Sequence, residues 1–231
     1  MRQKRIVLIS ILALFLGACV KQEYTEKTST KVWVDLYARY LDLDKLYKIE
    51  ATFLRGDTLP IARSFRPDAK ILFGQRDLRA RQLSKDLIRY QLDYSGPYQV
   101  KETFSVKDET LQFADFELTF PQIDSFSILN GQMSKTDGGE ILLASPVALK
   151  NHEELIILIT DATQQSESFY IEGPFEADRI AIAPSTIASL QEGAAKLYMV
   201  RKNKGARIIK DQSLNYQVEY YSKTQDLDIT P

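Results

Sequence analysis

Apolar and polar residues alternate along much of the chain, and this alternation predicts strands. At positions 47–53, 88–94 and 216–220 an apolar or aromatic side chain occupies every second place, with polar side chains between. That period is typical of strands that bury one face on a core and expose the other to solvent. The stretch ELIILIT at 154–160 is almost continuously apolar, which predicts a central strand covered on both faces.

Further strands and the turns between them complete the pattern. Additional strand candidates begin at Val32, Tyr98, Leu111, Ser168, Arg179, Ala195 and Ala206. Turns are predicted at Arg55-Gly56-Asp57, Ser95-Gly96-Pro97, Asn130-Gly131, Asp137-Gly138-Gly139, Gly173-Pro174 and Lys204-Gly205. Many short strands joined by turns predict an all-β fold of the sandwich class.

The number of strands is large for a single sandwich, so two tandem immunoglobulin-like β-sandwiches are predicted. A boundary near Pro121, which ends the preceding strand, gives domains at 31–120 and 121–223, followed by a polar tail at 224–231. One fused sheet is the alternative. Between Arg63 and Arg89 the pattern is ambiguous: Ala80, Leu83 and Leu87 recur at helical spacing, whereas KILFG at 70–74 suggests a strand within an irregular loop.

The second half contains a recognisable corner. In IAIAPSTIASLQEGAAKLYMVRK, Leu190 and Gly193 precede the strand LYMV. The stretch resembles the corner between the fifth and sixth strands of immunoglobulin-like and fibronectin type III-like sandwiches. We expect Ser185 or Thr186 to cap one helical turn, Leu190 to close the end of the core and Gly193 to reverse the chain. The resemblance concerns the fold only, because such sandwiches serve many unrelated functions.

The first 18 residues have the organisation of a secretory signal peptide. Arg2, Lys4 and Arg5 precede an apolar run at 6–16, which is too short to span a bilayer as a helix. The run ends in Leu16-Gly17-Ala18-Cys19, and Cys19 is the single cysteine of the chain.

This tetrapeptide resembles the lipobox of bacterial lipoproteins. The resemblance implies cleavage before Cys19, attachment of diacylglycerol to its sulfur and a membrane partner through that lipid. Val20 follows the cysteine, and the absence of Asp there favours the outer membrane. The polar segment 19–30 is predicted to be a flexible lipidated tether, in which the residues from Val20 to Thr30 reach roughly 35 Å when fully extended. The alternatives are a signal peptide cut elsewhere and an uncleaved anchor.

Composition narrows the function classes. The formal net charge of −1 argues against nucleic acid as a partner. With Cys19 carrying lipid, no disulfide can form within the chain, so buried apolar surface must stabilise the fold, and the hydrophobic content of 44% is sufficient for this.

Arginines supply the first candidate binding residues. The stretch 63–89 is strongly cationic, and Arg76, Arg79 and Arg81 lie at its centre. Guanidinium groups suit phosphates and carboxylates, so an anionic glycan or lipid headgroup is one interpretation and a solvated connection is the other. Tyr221 is a further candidate, because it has the opposite parity to Tyr216 and Tyr220 and is therefore expected on the exposed face.

Catalytic and metal-binding patterns are weak. His152 is the single histidine and lies in a polar turn. Asp42 and Asp44 alternate as calcium ligands do, without the rest of a calcium loop. The acids considered for a glycosidase-type pair are Glu102, Asp115, Glu117 and Asp124.

The sequence therefore predicts a lipid-anchored lipoprotein of the cell envelope that binds without catalysis and without a cofactor. The expected partner is an envelope protein or a glycan, with a structural role in an envelope complex as a variant of this prediction. The alternative is a glycan-directed hydrolase that uses a carboxylate pair.

Overall fold

The computed structural model describes residues 31–107, 115–209 and 212–231. Its first nine strands are β1 (Val32–Leu41), β2 (Leu46–Arg55), β3 (Arg63–Ser64), β4 (Lys70–Phe73), β5 (Arg76–Asp77), β6 (Arg79–Ser84), β7 (Leu87–Ser95), β8 (Lys101–Lys107) and β9 (Phe116–Thr119). The other nine are β10 (Phe126–Ile128), β11 (Gln132–Ser134), β12 (Gly139–Leu149), β13 (Glu153–Asp161), β14 (Ser166–Glu172), β15 (Phe175–Ile182), β16 (Gly193–Ile209), β17 (Gln212–Tyr221) and β18 (Gln225–Thr230). Helix α1 (Pro184–Ile187) and two 3-10 turns (Leu59–Ile61 and Leu129–Gly131) complete the described elements. The all-β prediction is confirmed.

The lipobox and Cys19 lie outside the described residues, as do the first residues of the strand candidate that begins at Leu111. The signal peptide, the lipid and the tether therefore stay predictions. Among the described residues, no helix is long and apolar enough to cross a membrane.

An 11-stranded main sheet organises the fold, with β16 at its centre. One edge of this 17-residue strand pairs with β13, which in turn pairs with β14. The other edge pairs first with β18 and then with β17, and from β17 the sheet continues through β1, β2, β7 and β6. The position of β13 between β14 and β16 confirms that ELIILIT is a central strand, but its two faces are not equally covered, because Leu158 and Thr160 are only half-buried.

A parallel pairing joins the two ends of the described chain. Strands β1 and β17 align over ten residue pairs, from Val32 opposite Gln212 to Leu41 opposite Tyr221. The main sheet therefore contains strands from both sides of Pro121, as the fused-sheet alternative requires. The division into two domains at this position stays a prediction.

Two smaller sheets cover the buried face of the main sheet in a sandwich-like arrangement. One has the order β5-β4-β8-β9 and the other β10-β12-β15. The ring of Phe116 in β9 lies 5.2 Å from that of Tyr216 in the main sheet, and the ring of Phe120, directly after β9, lies 5.5 Å from that of Tyr47, measured between centroids. The buried apolar side chains form one cluster that runs from Val32 to Ile229.

The predicted corner lies between β15 of a smaller sheet and β16 of the main sheet. Helix α1 supplies its single turn, Leu190 is fully buried, and Gly193 has a φ of 109° that favours glycine. The expected cap is wrong. The helix begins at Pro184, so Ser185 and Thr186 lie inside its single turn, and the N-cap position falls to Ala183, whose methyl group cannot accept a hydrogen bond.

Three other predictions are corrected. Ala80, Leu83 and Leu87 do not form a helix, because β6 and β7 pair as an antiparallel hairpin through this region. Residues 225–230 of the predicted polar tail form β18, where Leu227 and Ile229 alternate into the core.

Gly205 does not make a turn either, because β16 continues through it. A Cβ atom at this position would lie 2.5 Å from the Tyr216 hydroxyl oxygen. Glycine is therefore required for the close approach of the tyrosine ring to the strand.

Candidate functional site

The solvent-facing side of the main sheet brings tyrosines from three strands together. Tyr170 of β14 is opposite Ile156 of β13, Ile156 is opposite Val200 of β16, and Val200 is opposite Tyr221 of β17. These four residues form one row across four strands, and Tyr198 lies two positions from Val200 on the same face. We call Tyr170, Tyr198 and Tyr221, with Ile156 and Val200, the tyrosine face.

Aromatic surface remains available on this face. Tyr170 is 56% exposed, and its hydroxyl accepts a hydrogen bond from Ser168 at 3.3 Å. The rings of Tyr198 and Tyr221 stack with centroids 6.4 Å apart and an interplanar angle of 25°. Ile156 and Val200, which lie between Tyr170 and Tyr221 in the row, are buried. The accessible aromatic surface of the tyrosine face is therefore provided by its tyrosine rings rather than by Ile156 and Val200.

A buried carboxylate holds Tyr221 in place. Glu219 is 3% exposed, and its Oε2 accepts hydrogen bonds from the hydroxyls of Tyr221, at 2.8 Å, and Tyr37. Its Oε1 accepts from Gln217 Nε2 at 2.6 Å and lies 3.8 Å from Lys202 Nζ.

Burial, together with the neighbouring Glu219 carboxylate, raises the pKa of both Tyr37 and Tyr221 above the ordinary phenol value. Both hydroxyls therefore stay protonated and donate to Glu219. The arrangement therefore fixes the ring of Tyr221 on the sheet.

A groove of about 690 Å³ lies beside Tyr198, between the β13–β14 turn and β18. Its lining includes Thr160, Gln164, Lys196, Asp226 and Asp228, which offer both hydrogen-bond donors and acceptors. The volume is in the range of small-molecule binding clefts.

Asp161 fixes the wall of this groove. Its Oδ2 accepts from the backbone N–H of Gln191 at 2.7 Å, and its Oδ1 accepts from the N–H and hydroxyl of Thr163 at 2.8 and 2.7 Å. These hydrogen bonds favour the charged carboxylate and lower the pKa of Asp161. The β13–β14 turn is thereby tied to the corner that follows α1.

The structure separates the predicted arginines from Tyr221. Arg76 of β5 lies over the ring of Tyr94, with its guanidinium carbon 4.1 Å from the centroid. Arg79 and Arg81 are exposed on β6, an edge strand separated from β17 by β7, β2 and β1. Within the residues that the structure describes, neither Arg79 nor Arg81 has an ion-pair partner.

The acids considered for catalysis are dispersed. Asp115 pairs with Lys107 and Glu117 with Lys101, each at 2.8 Å. Glu102 of β8 accepts a hydrogen bond at 3.4 Å from the hydroxyl of Tyr94, which belongs to β7 of the main sheet. Asp124 is exposed beyond β9.

The other candidates occupy turns. Asp42 forms an ion pair with Lys45 at 2.6 Å, and Asp44 is exposed beside it. His152 is exposed in the turn before β13, as predicted. Among the described parts of the chain, no group of three His, Cys, Asp or Glu side chains is placed to hold a metal ion.

The sequence pattern singles out Tyr221 as a candidate but neither Tyr170 nor Tyr198. Parity within one strand showed the face of Tyr221, whereas Tyr198 lies in LYMV, where both faces are apolar. Tyr170 lies between Phe169 and Ile171, whose side chains pack on the core, so alternation alone predicts that the Tyr170 side chain faces outward. Its alignment with Tyr221 depends on the order of four strands.

The fold and surface define an all-β protein with a tyrosine-rich face on its largest sheet. The sequence matches no protein-family model and no curated protein.

Proposed function

We propose that this protein is a lipid-anchored binding module of the cell envelope that captures a glycan chain on its tyrosine face. The anchor is the lipid on Cys19, and Val20 favours the outer membrane as its location. The observation that carries the binding role is the row Tyr170–Ile156–Val200–Tyr221, with Tyr198 beside it at the edge of the groove.

A glycan fits both parts of this surface. Pyranose rings present an apolar C–H face that packs on aromatic rings, and their hydroxyls need hydrogen-bond partners. The tyrosine face supplies the first, and the polar lining of the groove, including Thr160, Gln164 and Asp226, supplies the second. Binding in this way needs no proton transfer and no cofactor.

The test is binding of the purified chain to insoluble peptidoglycan and to a panel of soluble polysaccharides. Replacement of a tyrosine that dominates binding by alanine lowers affinity by about 30-fold, since such residues contribute about 2 kcal/mol. We expect this loss for Tyr198→Ala and a similar loss for Tyr170→Ala.

Two controls make the result specific. Tyr198→Phe keeps the ring and retains most of the affinity, and Ile61→Ala removes an exposed apolar side chain elsewhere without effect on binding. Unchanged capture by Tyr170→Ala and Tyr198→Ala contradicts the proposal. Capture of an envelope protein without any glycan shows that the partner class is wrong.

A further inference from the structure

Basic side chains gather at the end of the main sheet where β1 begins. Lys31 precedes β1, and the first β1 residue, Val32, pairs with Arg55 of β2. Lys85 lies in the β6–β7 turn at the same end. We call this group the basic rim, and its members are Lys31, Arg55, Arg63, Arg81, Lys85 and Arg89.

Four members of the basic rim form two pairs of like charge. Arg55 of β2 is directly opposite Arg63 of β3, and Arg81 of β6 is directly opposite Arg89 of β7. Like charges directly opposite in an antiparallel pair destabilise a sheet. Two such pairs at one end of the sheet therefore indicate that this end is completed by an anion.

The two pairs lie at the same end of β2, on opposite faces of the main sheet. Strands β3 and β7 follow each other along the same edge of β2, and the backbone N–H of Ile88 in β7 donates to the Ser64 hydroxyl of β3 at 3.1 Å. The register places Arg89 opposite Thr52, three residues from Arg55 along β2, a separation of about 10 Å along the strand. Because side chains alternate between the two faces, this odd spacing leaves one arginine pair on each face, and only the end of the sheet presents both pairs.

Carboxylates neutralise little of this charge. Arg89 pairs with Glu50 at 2.9 Å, and among the described residues the other five members of the basic rim have no ion pair. The ammonium of Lys31 lies 4.3 Å from the centroid of the Trp33 ring, and the guanidinium of Arg55 lies 4.1 Å from that of Phe65.

Besides Glu50, three acids of the described residues lie at the same end. Asp57 and Asp86 are exposed in turns, and Asp35 accepts a hydrogen bond from Asn215 at 3.0 Å. The six basic residues outnumber these four acids, so the described part of this end retains a positive charge.

The position of Cys19 in the chain identifies the anion. Lys31 follows Cys19 by 12 residues, which can span at most about 43 Å. The chain enters the sheet at the basic rim, so a lipid on Cys19 brings this end towards the membrane surface.

We propose that the basic rim binds anionic phospholipid headgroups and thereby orients the main sheet with its strands roughly perpendicular to the membrane that holds the lipid anchor. This inference rests on the proposed lipidation of Cys19. Each basic residue near an anionic membrane surface increases affinity by about 5-fold. The contribution falls with salt, because the Debye length is about 10 Å at 0.1 M and about 3 Å at 1 M ionic strength.

The experiment uses the chain from Val20 to Pro231, which retains every described strand and the whole core and lacks Cys19. Its binding to phosphatidylcholine vesicles that contain phosphatidylglycerol is compared with binding to phosphatidylcholine alone, by co-sedimentation. Trp33, the single tryptophan, lies in β1 beside the rim, so its emission provides a second signal. We expect binding to the anionic vesicles only, with release at high salt.

Charge reversal tests the residues. Arg63→Glu with Arg81→Glu lowers the affinity for anionic vesicles by more than about 25-fold. The matched control, Lys150→Glu with Lys223→Glu, makes the same change of net charge in two exposed turns outside the rim and retains binding. Arg63→Gln with Arg81→Gln, which relieves both like-charge pairs and keeps the fold, gives an intermediate loss.

Any of three outcomes overturns the inference. They are binding to neutral vesicles as strong as to anionic ones, a loss of affinity in the control variant as large as in Arg63→Glu with Arg81→Glu, and no binding to anionic vesicles. None of these outcomes depends on the lipid or on glycan capture. Release of a Cys19→Ser variant from cell membranes tests the anchor, and the tyrosine variants test the glycan, so failure of each proposal is distinguishable from failure of the others.

Discussion

Leu190→Ala removes a core side chain at the corner before β16. Trp33, the single tryptophan, lies far from this position in the sequence. Leu190 is fully buried where α1 leads into β16, and its side chain belongs to the same apolar cluster as Val32 and Val34 of β1. Removal of a buried leucine side chain costs about 3 kcal/mol. Because β16 and β17 connect this corner to β1 within one sheet, we expect the whole loss to appear at Trp33 as well.

The measurement is urea unfolding followed by Trp33 fluorescence and by far-ultraviolet circular dichroism. With a slope of about 2 kcal/mol per molar urea, the midpoint falls by about 1.5 M, and we expect the same shift in both signals. Ser185→Ala is the matched control, because this exposed serine makes no cap and its loss changes the midpoint little. An unchanged Trp33 midpoint beside a shifted dichroism signal would refute the coupling and favour two independent domains.

Two further predictions concern a buried carboxylate and the anchor. Hydrogen bonds from Gln191 and Thr163 lower the pKa of Asp161, so the stabilisation is present above pH about 4 and is lost as the pH falls below that value. Thermal unfolding of Asp161→Asn is therefore expected at a lower temperature than for the original chain at pH 7, with a difference that narrows at acid pH; a constant difference contradicts this assignment. Cys19→Ser is expected to move the protein from the membrane fraction to the soluble fraction, and continued membrane retention excludes the lipid anchor.

Strand identity was largely predictable because it is local information. Alternation at 47–53 and 88–94 identified β2 and β7, and the Leu190–Gly193 pattern identified the corner. Strand β18 was missed because its core residues, Leu227 and Ile229, are separated and flanked by aspartates. The turn assigned to Lys204-Gly205 was wrong because glycine serves a tertiary contact there, with a ring from the next strand.

Sheet order was not predictable, because it depends on contacts between distant parts of the chain. The pairing of Leu36 with Tyr216 joins residues from opposite ends of the described fold. Two strands so far apart in sequence pair only when the complete core forms, so neither strand's own sequence indicates its partner. The candidate sites share this limit: Tyr221 could be assigned to an exposed face, but its row with Tyr170 exists only because four particular strands are neighbours.

The same pairing relates the two proposed surfaces to each other. Strand β1 runs from the basic rim at Val32 to Leu41, which is opposite Tyr221 of the tyrosine face. At about 3.3 Å per residue these ends are about 30 Å apart, and continuous β1–β2 and β1–β17 ladders connect them. A membrane at the rim therefore leaves the tyrosine face about 30 Å away from the lipid surface. The sheet acts as a rigid spacer, since any displacement of Tyr221 relative to the rim would break the ladder that stabilises both halves of the fold.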